Sequence, residues 1–121
     1  MNFYKKLKNK EEVMNLIDKV YDEILDNDIL YSVVRGNRFT IAYEYEGKNI
    51  YGAYSSKHKE IIIIINSHVN KSIACLIDTI AHEIAHIHVQ RHNRLHTKLK
   101  MEIKSLLKNL LKYNKKTAIA A

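Results

Sequence analysis

Proline is absent from the 121-residue chain, which also holds only three glycines and a single cysteine. Cys75 has no partner for an internal disulfide, so nothing in the sequence asks for an oxidising compartment. Stability has to come from packing, with a bound metal as the remaining staple. Long apolar runs are missing as well. The longest aliphatic stretch is Ile61 to Ile65, far short of the roughly 20 residues an apolar helix needs to cross a bilayer. The opening MNFYKKLKNKEEV has neither the apolar stretch nor the small-residue cleavage site of a secretory signal. These absences predict a soluble, cytoplasmic protein. No linker, repeat or low-complexity segment divides the chain, which reads as one domain over residues 1–121 with a frayed tail from Asn114.

The formal charge of +7 favours acidic partners, nucleic acid among them. Much of the excess sits in two lysine groups, Lys5 to Lys10 and Lys98 to Lys116, and such runs are ordinarily solvated helix faces.

From Asn9 to about Asp26 the residues Val13, Leu16, Ile17, Val20, Tyr21 and Ile24 keep the spacing of an amphipathic helix, capped by Asn9 and stopped by Asp26, Asn27 and Asp28. The middle reads as strands. Tyr31 to Arg35 leads into an Arg35-Gly36-Asn37 turn, Phe39, Ile41, Tyr43 and Tyr45 alternate, Glu46-Gly47-Lys48 turns again, and Ile50 to Tyr54 can pair back. The isoleucines from Ile61 to Ile65 predict a strand covered on both faces. A second helix, capped by Asn70 or Ser72, carries a broad apolar stripe from Ile73 to Ile87. A third runs from about Asn93 to Tyr113 with Leu95, Leu99, Ile103, Leu106, Leu107 and Leu110 inward. The expected fold is α+β: an N-terminal helix, a small three- to four-stranded, mostly antiparallel sheet, a site-bearing helix and a C-terminal helix.

On that second helix stands His82-Glu83-Ile84-Ala85-His86, an HExxH pattern. Histidines four apart share one helix face about 6 Å apart along the axis, so their imidazoles can converge on one ion. Zn²⁺ takes neutral imidazole nitrogen and, in catalytic sites, keeps a position open for water. Glu83, about 100° around from His82, falls beside the metal, where it can act as general base toward a metal-activated water.

A third ligand is needed. His88 points away from His86, and on an unbroken helix His92 would lie about 15 Å along the axis from His82, so the helix must end between His86 and His92 if His92 binds. The metzincin glycine that permits such a bend is replaced by Val89. His92 is reached with least chain, and Glu102 and His96 are its rivals. His58 and His68 read as surface residues, and Tyr54, Tyr113 and Arg91 as candidates for stabilising an oxyanion.

Tyr51-Gly52-Ala53-Tyr54, the run Glu60 to Asn66, Asp78 to His86 and His92 together resemble the compact SprT-like and related minimal zinc peptidases, over roughly residues 50 to 100. The resemblance implies His82, His86 and His92 as zinc ligands, Glu83 as base, and Ile61 to Ile65 as the strand bordering the cleft and pairing with extended substrate. Relatives usually carry a small residue after the third histidine and an aromatic four positions beyond it, where Asn93 and His96 stand here. Some relatives cleave proteins bound to DNA. Two functions follow as expectations: a zinc peptidase acting on protein or peptide, or a basic nucleic-acid-associated protein with a structural zinc.

Overall fold

The computed structural model describes residues 10–42, 50–64 and 72–120, with the side chains of Lys10, Ile41 and 113–120 left aside. The expected positions of Asn9, Tyr43, Tyr45, the Glu46-Gly47-Lys48 turn, Ile65, His68 and Asn70 lie outside the described residues.

Helix α1 spans Lys10–Asp26 and buries Val13, Leu16, Ile17, Val20 and Ile24, the stripe its spacing demands. Asn27 then adopts extended dihedrals and its side-chain oxygen accepts the Leu30 amide at 3.0 Å, starting a second helix, α2, at Asp28–Val34. The strand expected over Tyr31 to Arg35 is therefore a helix. Its tyrosine and valines favour strands, but Leu30 and Val34, four apart, both reach the core, and the cap decides the outcome. Arg35, at φ −45° and ψ 130°, leaves the helix, and Gly36, at φ 85°, supplies the left-handed residue of the turn that brings the Asn37 amide to the Val34 carbonyl at 3.0 Å.

Three strands follow, β1 (Arg38–Ala42), β2 (Gly52–Ser55) and β3 (Glu60–Ile64), in the order β1-β3-β2. β1 runs parallel and β2 antiparallel to β3, so the described sheet is mixed rather than mostly antiparallel, and β2 pairs with β3 rather than folding back on β1. The most apolar strand takes the centre. Ile61 and Ile63 enter the main core under the helices, while Ile62 and Ile64 are buried on the other face against Ala42, Ile50 and Ala53.

Helix α3 (Ile73–His88) is capped by Ser72, whose Oγ accepts the Cys75 amide at 3.1 Å, and is the most buried helix of the fold. Helix α4 (Arg94–Ala120) starts at Asn93, whose Oδ1 accepts the His96 amide at 3.0 Å. It packs along α3 through Ile103, Leu107 and Leu111, and Lys100 and Lys104 clamp Asp78 of α3 at 3.0 and 2.9 Å. Leu95, expected inward, is 62% exposed, because His96 holds the inward position of the first turn. Among the described residues no helix is long and apolar enough to cross a membrane.

Candidate metal centre

His82 and His86 lie one turn apart on α3, and α3 stops at His88, inside the window that the third-ligand argument requires. The stop is made by Val89, whose amide still reaches the Ala85 carbonyl but whose own dihedrals, φ −132° and ψ 99°, are extended. A β-branched residue adopts that conformation readily, so no glycine is needed for the chain to turn back. It returns His92 to the pair. The Nε2 atoms of His82, His86 and His92 lie 3.1, 3.1 and 2.9 Å from one another. His86 donates from Nδ1 to the Val89 carbonyl at 3.1 Å, which leaves the lone pair of the neutral ring on Nε2, facing the other two.

His96 completes a cluster of four rings. Its centroid is 4.1 Å from that of His86, tilted 32°, and 4.5 Å from that of His82, nearly edge-on at 72°. One ligand atom from each of His82, His86 and His96 fits within 4.8 Å, so this looser set is also a group that could hold a metal ion. The His82, His86 and His92 triangle is tighter, and the Nε2 of His96 is already engaged with the His82 carbonyl at 3.1 Å. Glu102 is exposed on α4 and belongs to neither set.

Burial governs the titration of the site. It pulls the His82 imidazole down to about 4, helped by His86, His96, Lys100 and His92, and it holds His86 below the usual range against the Val89 hydrogen bond. Both shifts favour the neutral rings that metal ligation requires. Glu83 is 6% exposed, and burial raises its carboxyl to about 7 despite the opposing Lys100 ammonium. Asp78 shows the reverse balance, with burial outweighed by Lys104 and Lys100, which lower it.

A cavity of about 430 Å³ opens over the cluster, between His82, Glu83, His86 and His92 on one side and Gly52, Tyr54 and Ser56 on the other. A second, of about 420 Å³, shares Gly52, His82 and Glu83 with it and continues past Tyr51 and along Cys75, Asp78 and Thr79 of α3. Together they form a groove between α3 and β2. The bordering strand is thus β2 and not the expected isoleucine strand, whose described residues Ile61 to Ile64 are buried one strand further in. Tyr51 receives the Ile64 amide, so in this antiparallel pairing residues 51, 53 and 55 face β3, and Gly52 and Tyr54 turn their backbone groups outward.

Gly52 is a site residue to which the sequence reading assigned no role. A Cβ there would stand 2.9 Å from the Ile62 carbonyl oxygen, 2.9 Å from Thr79 Cγ2 and 3.4 Å from Glu83 Cγ. Only glycine lets α3 lie this close to the strand. A glycine inside a strand pattern is the signal that pointed to it. Of the oxyanion candidates, Tyr54 lines the cavity with its hydroxyl donating to Asn37 Oδ1 at 2.8 Å, Arg91 is exposed, and the Tyr113 side chain is outside the described residues. His88 is exposed and donates to the Val33 carbonyl at 2.8 Å, and His58 is exposed in a turn.

The donor set fits a small divalent metal. Three ring nitrogens at mutual distances of 2.9 to 3.1 Å cannot all bond one another linearly. Tetrahedral nitrogen ligands at about 2.0 to 2.1 Å from zinc are about 3.3 Å apart, so the triangle lies within a few tenths of an ångström of that arrangement. Comparison with protein-family models, with curated proteins and with solved structures finds no match for this chain, so any function has to be argued from the site itself.

Proposed function

We propose that this chain is a zinc-dependent metallopeptidase of the HExxH type, with His82, His86 and His92 as the ligands and Glu83 as the general base. The observation that carries the reading is the convergence of three Nε2 atoms within 3.1 Å beside a buried carboxylate, at the floor of a groove bordered by an edge strand. Bound there, zinc would acidify a water molecule and polarise a peptide carbonyl.

The protein's own groups do the rest. An extended peptide adds to the outward N–H and C=O groups of Gly52 and Tyr54, which sets its register along the groove. Glu83, whose carboxyl burial raises to about 7 in the metal-free chain, would be drawn toward its ionised form by a bound cation and can accept the proton of the attacking water and return it to the departing amine. Glu83 lines the cavity beside Gly52 and is almost fully buried, which keeps bulk water from competing for its carboxylate. A structural zinc in a nucleic-acid-binding protein would have four protein ligands and no adjoining groove. The deciding experiment is zinc analysis of the purified chain followed by hydrolysis of an unfolded protein such as casein. About one zinc per chain and activity that Glu83→Gln removes support the proposal, and a zinc-loaded protein with unchanged activity in Glu83→Gln overturns it.

A further inference from the structure

Resting on the zinc-site reading above, we propose that His96 is a positioning residue that bolts the start of α4 to α3 and so fixes His92 against the His82 and His86 pair, without itself binding metal. His96 is 2% exposed. Its Nε2 lies 3.1 Å from the His82 carbonyl, and because a carbonyl can only accept, this nitrogen carries the proton. The same carbonyl is the helical acceptor of the His86 amide, so the bond lands on the turn of α3 that holds both histidines. The ring also lies against His86 at 4.1 Å and meets His82 at 4.5 Å, limiting the rotation of each.

His92 needs such a bolt because it sits exposed in the short connection between α3 and α4, where no helical ladder holds it. Its neighbours are tied forward. The Asn93 side chain takes the His96 amide at 3.0 Å, and the Asn93 carbonyl takes the Thr97 amide at 3.1 Å and the Thr97 hydroxyl at 3.2 Å. Residues 92 to 97 therefore move with the first turn of α4. That turn is joined to α3 through His96, while the Asp78 clamp acts one and two turns further along, at Lys100 and Lys104. For His96 to ligate through Nε2 it would have to surrender the His82 carbonyl, and through Nδ1 it would have to draw the ion from the tighter His82, His86 and His92 triangle toward the looser set. A four-histidine site would also leave no open position.

The test compares His96→Phe, which keeps a ring and removes the donor, with His96→Gln, which restores an N–H, in the full chain. Zinc affinity is measured by competition with a chromophoric chelator, and the ligand set by the visible spectrum of the Co²⁺ form at saturation. The phenylalanine variant should bind zinc about 10 to 100 times more weakly than the parent, the range for lost supporting hydrogen bonds. The glutamine variant should recover part of that loss, and all three Co²⁺ spectra should coincide. Affinity unchanged in His96→Phe overturns the proposal by leaving only packing, and an altered Co²⁺ spectrum overturns it by making His96 a ligand. Should His96→Phe lose its helical circular dichroism, His96→Met provides the donor-free comparison. Hydrolysis plays no part in these readouts, so a chain that shows this pattern and cleaves nothing sinks the peptidase reading alone, whereas a parent chain that binds no zinc overturns both.

Discussion

Replacing Glu83 by glutamine should stabilise the metal-free protein at alkaline pH, which separates the cost of the buried carboxylate from its chemical use. The carboxyl is raised from 4.5 to about 7 in the folded chain, with burial as the main cause. Between those values the folded state binds more protons than the unfolded one, so stability falls as pH rises and the full penalty is present above pH 7. A difference of about 2.5 pKa units at 1.36 kcal/mol each amounts to roughly 3 kcal/mol. Glutamine has the same shape and no charge, so Glu83→Gln should gain about that much at pH 8 and almost nothing at pH 4. In urea, with a slope of about 1 to 3 kcal/mol per molar, the midpoint should rise by about 1 M or more at pH 8. The assay is urea unfolding of chelated parent and variant at pH 4, 6 and 8, where every other titrating group cancels in the difference. A bound zinc would offset much of the cost by placing a cation beside the carboxylate, so the variant's advantage should shrink in the holo form. A gain that does not change between pH 4 and pH 8 would refute the reasoning.

Zinc should be lost on His82→Ala or His86→Ala and strongly weakened by His92→Ala, whereas Glu102→Ala should leave it bound; zinc content after dialysis measures all four, and retention in His92→Ala removes that residue from the site. Gly52→Ala should cost about 1 to 3 kcal/mol through overpacking against the Ile62 carbonyl and Thr79. It should also lower hydrolysis more than thermal stability alone explains, by shifting Glu83; an alanine variant with parental melting temperature and activity contradicts the close approach. In the chelated protein the stability contributed by neutral His82 is fully present above pH 6.5 and is lost as pH falls toward about 4, because its folded pKa lies below the unfolded one, and His86, also lowered by burial, acts in the same direction. The urea midpoint of the parent relative to that of His82→Gln should therefore fall over that window, the opposing contribution of Glu83 cancelling in the difference, and identical slopes would discount His82 as its source.

The helices were legible where apolar spacing marks a continuous stripe, as in α1 and α3, with the Ser72 cap agreeing in α3, and the isoleucine run announced its double burial over Ile61 to Ile64, each of which needs a neighbour on its face. What misled was composition set against local geometry. Tyr31, Val33 and Val34 favour strands, yet Asn27 accepting the Leu30 amide nucleates a helix. Sheet order was hidden for a different reason. Nothing local states that β1 pairs directly and in parallel with β3 although β2 lies between them in the sequence, since that choice is made by where the most apolar strand is best covered.

The candidate site shows the same division between what is local and what is not. Two histidines at i and i+4 converge by helix geometry alone, so His82 and His86 could be read directly, and Glu83 with them. The place of His92 depended on where α3 stops, and the stop rests on one backbone conformation. At Val89 the expected glycine is absent, which argues against a bend only if the bend demands a left-handed residue. The observed φ of −132° shows that it does not, because an extended valine redirects the chain as well and is suited to that conformation. The departure at His96 resolves in the same way. Where the resemblance implied an aromatic, the histidine keeps a ring against His86 and adds an N–H for the His82 carbonyl. Substitution to phenylalanine therefore removes one bond and little volume, whereas at Gly52 even a methyl group has nowhere to go.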